Sequence, residues 1–378
     1  MKQMSVRERF LASMEYGPAD RIPNHEIGVW PQTLDRWEKE GLDLQQHHWN
    51  WFEGDPAWGM DPREYIPVHY GMIPPFPEEI IEQTDRYLIK RHASGIVTKA
   101  LLEGSVGNSR TCMDQYLKFP VESPEDFRAL KKRFVFNLEE RYPENWMDRI
   151  REWNARDHVL VLSRNCGTKG FFWRAREWMG TENLCYAWYD MPGLMHEMME
   201  FIADFTIETA APLLEHVSVD YAFINEDMAM KNGPLLSPAQ YREFIFPRFK
   251  RVVEYFKSHG VRYVIVDSDG CTEPLIPLLL EAGVDGLWPI ERASEHMDPL
   301  AIRKKYGKDL RLWGCVDKRE LAKGKEEINA HLLSLVPLME QGGFIPTVDH
   351  LVPPDVPLEN FIHYMELKQK LLKGDYGI

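Results

Sequence analysis

Eight short apolar runs, each closing on Gly, Pro or a charged residue, punctuate the 378-residue chain. The clearest is Val264-Ile265-Val266, which runs into Asp267-Ser268-Asp269-Gly270. The last is Phe344-Ile345-Pro346-Thr347-Val348, which runs into Asp349-His350. Continuous apolar runs alternating with amphipathic helical stretches predict parallel strands buried on both faces. From residue 157 the alternation is regular, with strands expected over residues 158–163, 221–225, 263–267, 286–290, 310–315 and 344–348. Helix starts are marked by Ser followed by Pro, at Ser123-Pro124-Glu125-Asp126 and Ser237-Pro238. Thr272-Glu273-Pro274 opens a further helix, and Gly260 and Gly283 are the expected stops. Residues 20–27 read as a first strand. Residues 86–102, split at Ala93-Ser94-Gly95, read as a hairpin whose second arm completes the count of eight. The expected fold is therefore α/β, a (β/α)8 TIM barrel formed as one domain over residues 1–378.

The N-terminal part breaks this rhythm. Residues 2–17 predict a helix with Phe10, Leu11 and Met14 on one apolar face. Residues 30–85 are proline-broken and carry Trp30, Trp37, Trp49, Trp51, Trp58, Tyr65 and Tyr70. They are expected to form an irregular, aromatic-rich cap over the C-terminal rim. Such a cap either lines a pocket for a flat ligand or packs on the barrel or on a second subunit of a homo-oligomer.

Composition narrows the classes. No apolar stretch is long enough to span a bilayer and residues 1–10 lack a signal-peptide core, so a cytoplasmic location is expected and no membrane partner. The net charge of −14 argues against a nucleic-acid partner. Five cysteines, at 112, 166, 185, 271 and 315, are odd in number and unevenly spaced, which favours reduced thiols. There is no phosphate-binding glycine loop and no dinucleotide fingerprint.

In a barrel the chemistry belongs at the C-terminal ends of the strands. Asp267 and Asp269 lie two apart at one strand end, and His350 ends the last strand. Two carboxylates and an imidazole make a three-ligand site for a divalent metal with an open position. The alternative is that the aspartates cap the next helix and His350 bonds a loop carbonyl. Glu226, after the fourth strand, is a candidate ligand or general base, or an ion-pair partner of Lys231. His25, beside Glu26, is a candidate acid–base group or a structural histidine. Cys166 and Cys271 are thiols near the mouth or small buried residues. Glu291 and Asp317 end further strands and can cap helices.

At this point the chain resembles the uroporphyrinogen decarboxylase superfamily, which includes cobalamin-dependent methyltransferases. The resemblance is carried, in order, by Arg7-Glu8-Arg9-Phe10 with Asp20-Arg21-Ile22-Pro23, then Phe119-Pro120-Val121 and Gly170-Phe171-Phe172-Trp173-Arg174. It continues through Glu226-Asp227, Lys231-Asn232-Gly233-Pro234, Ser237-Pro238 and Asp269-Gly270. It closes on Gly342-Gly343-Phe344 and Pro353-Pro354-Asp355-Val356-Pro357. The resemblance implies a (β/α)8 barrel. True decarboxylases carry an arginine-bearing stretch after the first strand, where this chain has Ile27-Gly28-Val29-Trp30-Pro31. The methyltransferase branch binds zinc through His-x-Cys at the fifth strand and a Cys after the eighth. The matching positions here hold Asp267, Asp269 and His350, which implies a divalent metal, zinc by expectation, in a harder ligand set. A harder Lewis acid suits an ether oxygen. The resemblance thus implies a methyltransferase that takes the methyl group of a small methoxylated, aromatic donor to the cobalt of a corrinoid (cobalamin) on a separate partner protein. Glu226 or His25 would supply the proton in that O-demethylation. The runner-up is a decarboxylase acting on a tetrapyrrole or another carboxylate.

Overall fold

The computed structural model describes residues 3–47, 53–103, 113–163 and 168–377; Trp49, Trp51, Cys112 and Cys166 lie outside them. The apolar runs form strands where expected. Tyr221–Asn225, Tyr263–Asp267, Gly286–Ile290 and Phe344–Val348 agree residue for residue, and the other two settle at Val159–Leu162 and Arg311–Val316. With Arg63–Tyr65 they make one curled parallel sheet, ordered 63–65, 159–162, 221–225, 263–267, 286–290, 311–316 and 344–348. Alternate residues explain the unbroken apolar runs. Val161, Tyr221, Phe223, Ile265, Trp288, Trp313 and Ile345 fill the barrel interior. Leu160, Leu162, Ala222, Ile224, Val264 and Val266 face outward into the helical layer. Both faces are buried, so no polar alternation survives.

The eighth place is filled differently from expectation. The arm of the hairpin over Tyr87–Arg91 and Val97–Leu101 does form, but it belongs to a separate four-stranded antiparallel sheet with Glu79–Gln83 and Gln115–Lys118. Arg63–Tyr65, inside the segment expected to be cap, takes the place expected for the hairpin arm, and residues 24–29, where the first strand was expected over 20–27, close the barrel between Arg63–Tyr65 and Phe344–Val348. Their contacts run partly through side chains, which is why they are not a regular strand. Val348 N donates to Glu26 Oε2 at 2.8 Å, Arg63 Nη2 to Glu26 O at 3.0 Å, and Asp61 N to Asn24 O at 2.9 Å. Val29 and Val352 form a single parallel bridge.

The first helix, Val6–Met14, is set by a capping box between Ser5 and Glu8. It buries Phe10 and Met14 and plugs the N-terminal end of the barrel: Arg7 N donates to Asp157 O, and Gly343 N to Ser13 O. The motif that carried much of the resemblance is structural here. Arg9 joins Asp20 at 2.8 Å and Asp61 at 3.0 Å, Arg21 joins Asp61 at 2.6 Å, and Arg7 joins Asp220 at 2.8 Å. Of the aromatic segment, Trp37 and Trp58 pack on Phe361 of the helix Leu358–Leu372, at 4.6 and 5.2 Å between ring centroids, rather than lining the mouth. Among the described residues no helix is long and apolar enough to cross a membrane.

Candidate active site

The C-terminal ends of four neighbouring strands and the loop after the last bring the polar residues together. Asn225 and Asp267 are register partners on adjacent strands, and Asn225 Nδ2 donates to Asp267 Oδ2. The turn after Asp267 needs a glycine. Gly270 has φ +81°, its amide donates to Glu291 Oε2 at 3.2 Å, and a Cβ there would lie 2.7 Å from the carbonyl oxygens of Ala229 and Met230. This turn lifts Asp269 toward the loop after the last strand. There His350 Nε2 lies 3.5 Å from Asp269 Oδ2, and the His350 ring stacks on Trp30 at 6.0 Å and 28°. Trp30 is thus an aromatic of the N-terminal segment that does reach the rim.

Around this pair the mouth is acidic. Burial, and then the nearby Asp227 and Glu291, push Asp269 up to about 7, although a third of its side chain remains exposed. Burial and Asp269 push Asp267 well above the usual carboxylate range. Burial likewise raises Asp349 to about 6 against the pull of Lys318, and it lowers His350, helped by the positive charge of Lys318. The basic groups bonded into the mouth are already engaged. Arg176 pairs with Asp227 at 2.6 Å, and Lys318 pairs with Glu291 at 2.8 Å and Asp349 at 3.4 Å.

Glu226 takes a different place from the general base or ligand expected. It is fully buried, and its two oxygens accept from Phe171 N at 2.9 Å and Phe172 N at 2.7 Å, so it caps the helix Phe171–Met179 rather than pairing with Lys231. Burial raises its carboxyl to about 7 against those hydrogen bonds. Gly170 is required beside it, because a Cβ there would lie 2.2 Å from Glu226 Cδ. His25 does not reach the rim at all. Its ring is buried near Phe10 and Trp313, at 6.2 and 6.0 Å, above the N-terminal plug, and burial pushes its pKa well below the ordinary value. The expected acid–base role therefore has no geometry behind it. Cys271 and Cys315 are buried free thiols held protonated by that burial. Asp317 caps the next short helix through Arg319 N, as the alternative reading anticipated. Sequence reasoning missed Lys318, Arg176 and Asp227. Asp227 has one signal of special geometry, a φ of +39°, which is not readable from residue type.

The donor chemistry fits a cation. Asp267, Asp269 and His350 converge on one rim, and among the described residues the buried Asn225 Oδ1 beside Asp267 has no hydrogen-bond partner. Burial is what chiefly raises these carboxylates, and a bound cation would offset that cost. The side chains are not drawn into a closed coordination sphere: among the described residues no three His, Cys, Asp or Glu groups are clustered tightly enough to hold a metal. Asp267 would have to exchange Asn225 for the ion.

A barrel with its polar groups gathered on the C-terminal rim defines the class, a TIM-barrel-like enzyme fold. The family profile described as uroporphyrinogen decarboxylase (URO-D) matches residues 175–371, slightly more than half of the chain, and the chain belongs to that family. It is 28% identical over 140 residues to uroporphyrinogen decarboxylase 2, chloroplastic, of Arabidopsis thaliana; the match covers 36% of this chain and 34% of that protein, so the chain spans about a third of the curated relative's length. In fold it is similar to a methyltransferase from Methanosarcina mazei, with a TM-score of 0.57 at 15% identity over 98% of this chain and 99% of the other.

Proposed function

We propose that this protein transfers the methyl group of a small methoxylated, aromatic compound to the reduced cobalt of a corrinoid carried by a separate protein. The observation that carries this reading is the makeup of the mouth. Asp269 and His350 stand side by side, with Trp30 stacked on His350, among carboxylates that already engage Arg176 and Lys318. A polycarboxylate tetrapyrrole would meet repulsion there, and residues 27–31 offer it no arginine. The fold shared with the Methanosarcina mazei methyltransferase points the same way.

In this reading Asp267, Asp269 and His350 would hold a divalent ion, zinc by expectation, which when bound supplies Lewis acidity toward the ether oxygen. Trp30 presents a ring face against which an arene can stack, leaving the methyl group turned outward. Gly270 and its bond to Glu291 fix the turn that aims Asp269. Glu226 positions the helix Phe171–Met179, and Arg176 on that helix holds Asp227 at the rim. As the methyl carbon bonds to cobalt with the cobalt electron pair, the C–O pair stays on oxygen, and the phenolate takes a proton from solvent. The test mixes the enzyme with a reduced corrinoid protein and methoxyarenes and follows methyl-cobalt formation by absorbance. Transfer from a methoxyarene is expected. Failure of every methoxy, methylamine and methylthiol donor overturns the reading, and coproporphyrinogen formation from uroporphyrinogen would replace it with decarboxylation.

A further inference from the structure

A cavity lies beside the site, at the C-terminal ends of the strands Arg63–Tyr65 and Val159–Leu162. It measures about 410 Å³ and is lined by residues including Val68, Tyr70, Phe134, Lys169, Arg174 and Trp178. None of Trp30, Glu226, Asp267, Asp269 and His350 lines it. Its size suits a small molecule.

The unusual group is Arg174, on the helix Phe171–Met179. The residue is 3% exposed, and among the described residues its buried Nε has no hydrogen-bond partner. Rings lie close to it: Phe134 at 5.3 Å, Trp178 at 5.9 Å and Phe205 at 5.9 Å. Buried cations are normally paired or fully hydrogen-bonded, because lost hydration is costly. The same protein shows the ordinary solution nearby. Buried Arg141 donates to the carbonyls of Val135, His69 and Gly71 at 2.8 to 3.1 Å. The acid nearest to serving Arg174 is Glu177, and Lys169 already holds it. Burial lowers Arg174 to about 10, and it remains a cation at neutral pH. Tyr70 also lines the cavity, and among the described residues its buried hydroxyl has no hydrogen-bond partner.

We propose that this cavity binds a small organic carboxylate with an apolar, ring-sized body, its carboxylate on Arg174 and Tyr70 and its body against Phe134 and Trp178. A carboxylate matches the guanidinium fork and accepts the phenol proton, so both unpartnered donors are satisfied at once. Lys169 on the lining is paired with Glu177, also on the lining, so Arg174 carries the uncompensated charge and disfavours an amine of similar size. The inference does not depend on the methyl-transfer reading. The carboxylate can belong to an acidic methyl donor or to an effector.

The test is calorimetric titration of the full chain with benzoate, using benzamide as the neutral control. Saturable benzoate binding is expected, with benzamide at least about tenfold weaker, since it lacks the charge. Arg174→Met keeps an unbranched stem against the rings but removes the guanidinium and should weaken benzoate by about tenfold or more, and Tyr70→Phe, which preserves the ring packing, by a few-fold. Circular dichroism confirms that both variants are folded, and if Arg174→Met does not fold, Tyr70→Phe decides. The proposal is overturned if benzoate does not bind, if benzamide binds equally well, or if the folded variants keep wild-type affinity. Where methyl transfer from neutral guaiacol is measurable, benzoate competing with guaiacol marks the donor's own subsite, and benzoate changing the rate at saturating guaiacol marks an effector site; both support the carboxylate pocket.

Discussion

The contact between Gly170 and Glu226 gives the sharpest test of how the rim is built. A methyl group added at Gly170 would lie 2.2 Å from Glu226 Cδ, 2.4 Å from Oε1 and 2.6 Å from Oε2. These atoms belong to a fully buried carboxyl group, so Glu226 must leave the amides of Phe171 and Phe172 to admit it. Two hydrogen bonds to a charged group, at about 1.5 kcal/mol each, put the cost of Gly170→Ala near 3 kcal/mol. Removing the carboxyl removes the collision. In a Glu226→Ala background the added methyl enters vacated space, and Gly170→Ala should then cost under about 1 kcal/mol, leaving a coupling of roughly 2 kcal/mol. Urea unfolding of the wild type, both single variants and the double variant measures the four corners of the cycle. Equal costs of Gly170→Ala in both backgrounds would refute the argument, because the penalty would then lie in the backbone and not in the contact with Glu226.

Three further outcomes are expected. Arg9 holds Asp20 well below the usual carboxylate range, so this stabilisation is complete above the unfolded-state value near 3.8 and is lost as pH falls through the lower folded-state value. Asp20→Asn should therefore be destabilising at pH 7, with the deficit shrinking by roughly 1 kcal/mol by pH 3 in urea titrations; a constant deficit would count against the ion pair. Asp269→Asn and His350→Ala should each strip most divalent metal from protein purified without chelator, read by elemental analysis, and full metal retention in both would mean other ligands hold it. Phe10→Ala, by hollowing the barrel plug, should lower unfolding stability by about 3–5 kcal/mol, and a loss under about 1 kcal/mol would show that the helix Val6–Met14 does not close the barrel.

The later half of the chain was legible because each strand there is buried on both faces and flanked by helix caps of definite chemistry. Ser237 accepts from Gln240 N at 3.2 Å, as its Ser-Pro signature implies. The early half was not, because its pairing runs through side chains. Arg63–Tyr65 is three residues long, and residues 24–29 substitute the Glu26 carboxylate for a ladder bond, so neither leaves a hydrophobic period to read. The convergence of Asp269 and His350 followed from their strand ends alone. The positions of Glu226 and His25 did not, because residue type does not say whether a polar group at a strand end meets solvent, an amide or an aromatic ring.

The join between the chain's early and late residues has a consequence for how the barrel forms. Ser13 accepts from Gly343 N, Gly28 from Val352 N, and Leu372 from Ile22 N, while the buried Lys368 reaches His25 O and Glu26. None of these contacts exists until more than 300 residues have been synthesised. Until then Phe10, Met14 and Ile27 have no complete surface to dock on, and the partial sheet presents an open edge at Arg63–Tyr65. Such long-range closure is slow and leaves apolar edges accessible in the meantime. A nascent chain halted before residue 343 would therefore be sticky and protease-sensitive, and the gain of protection should come late and in one step.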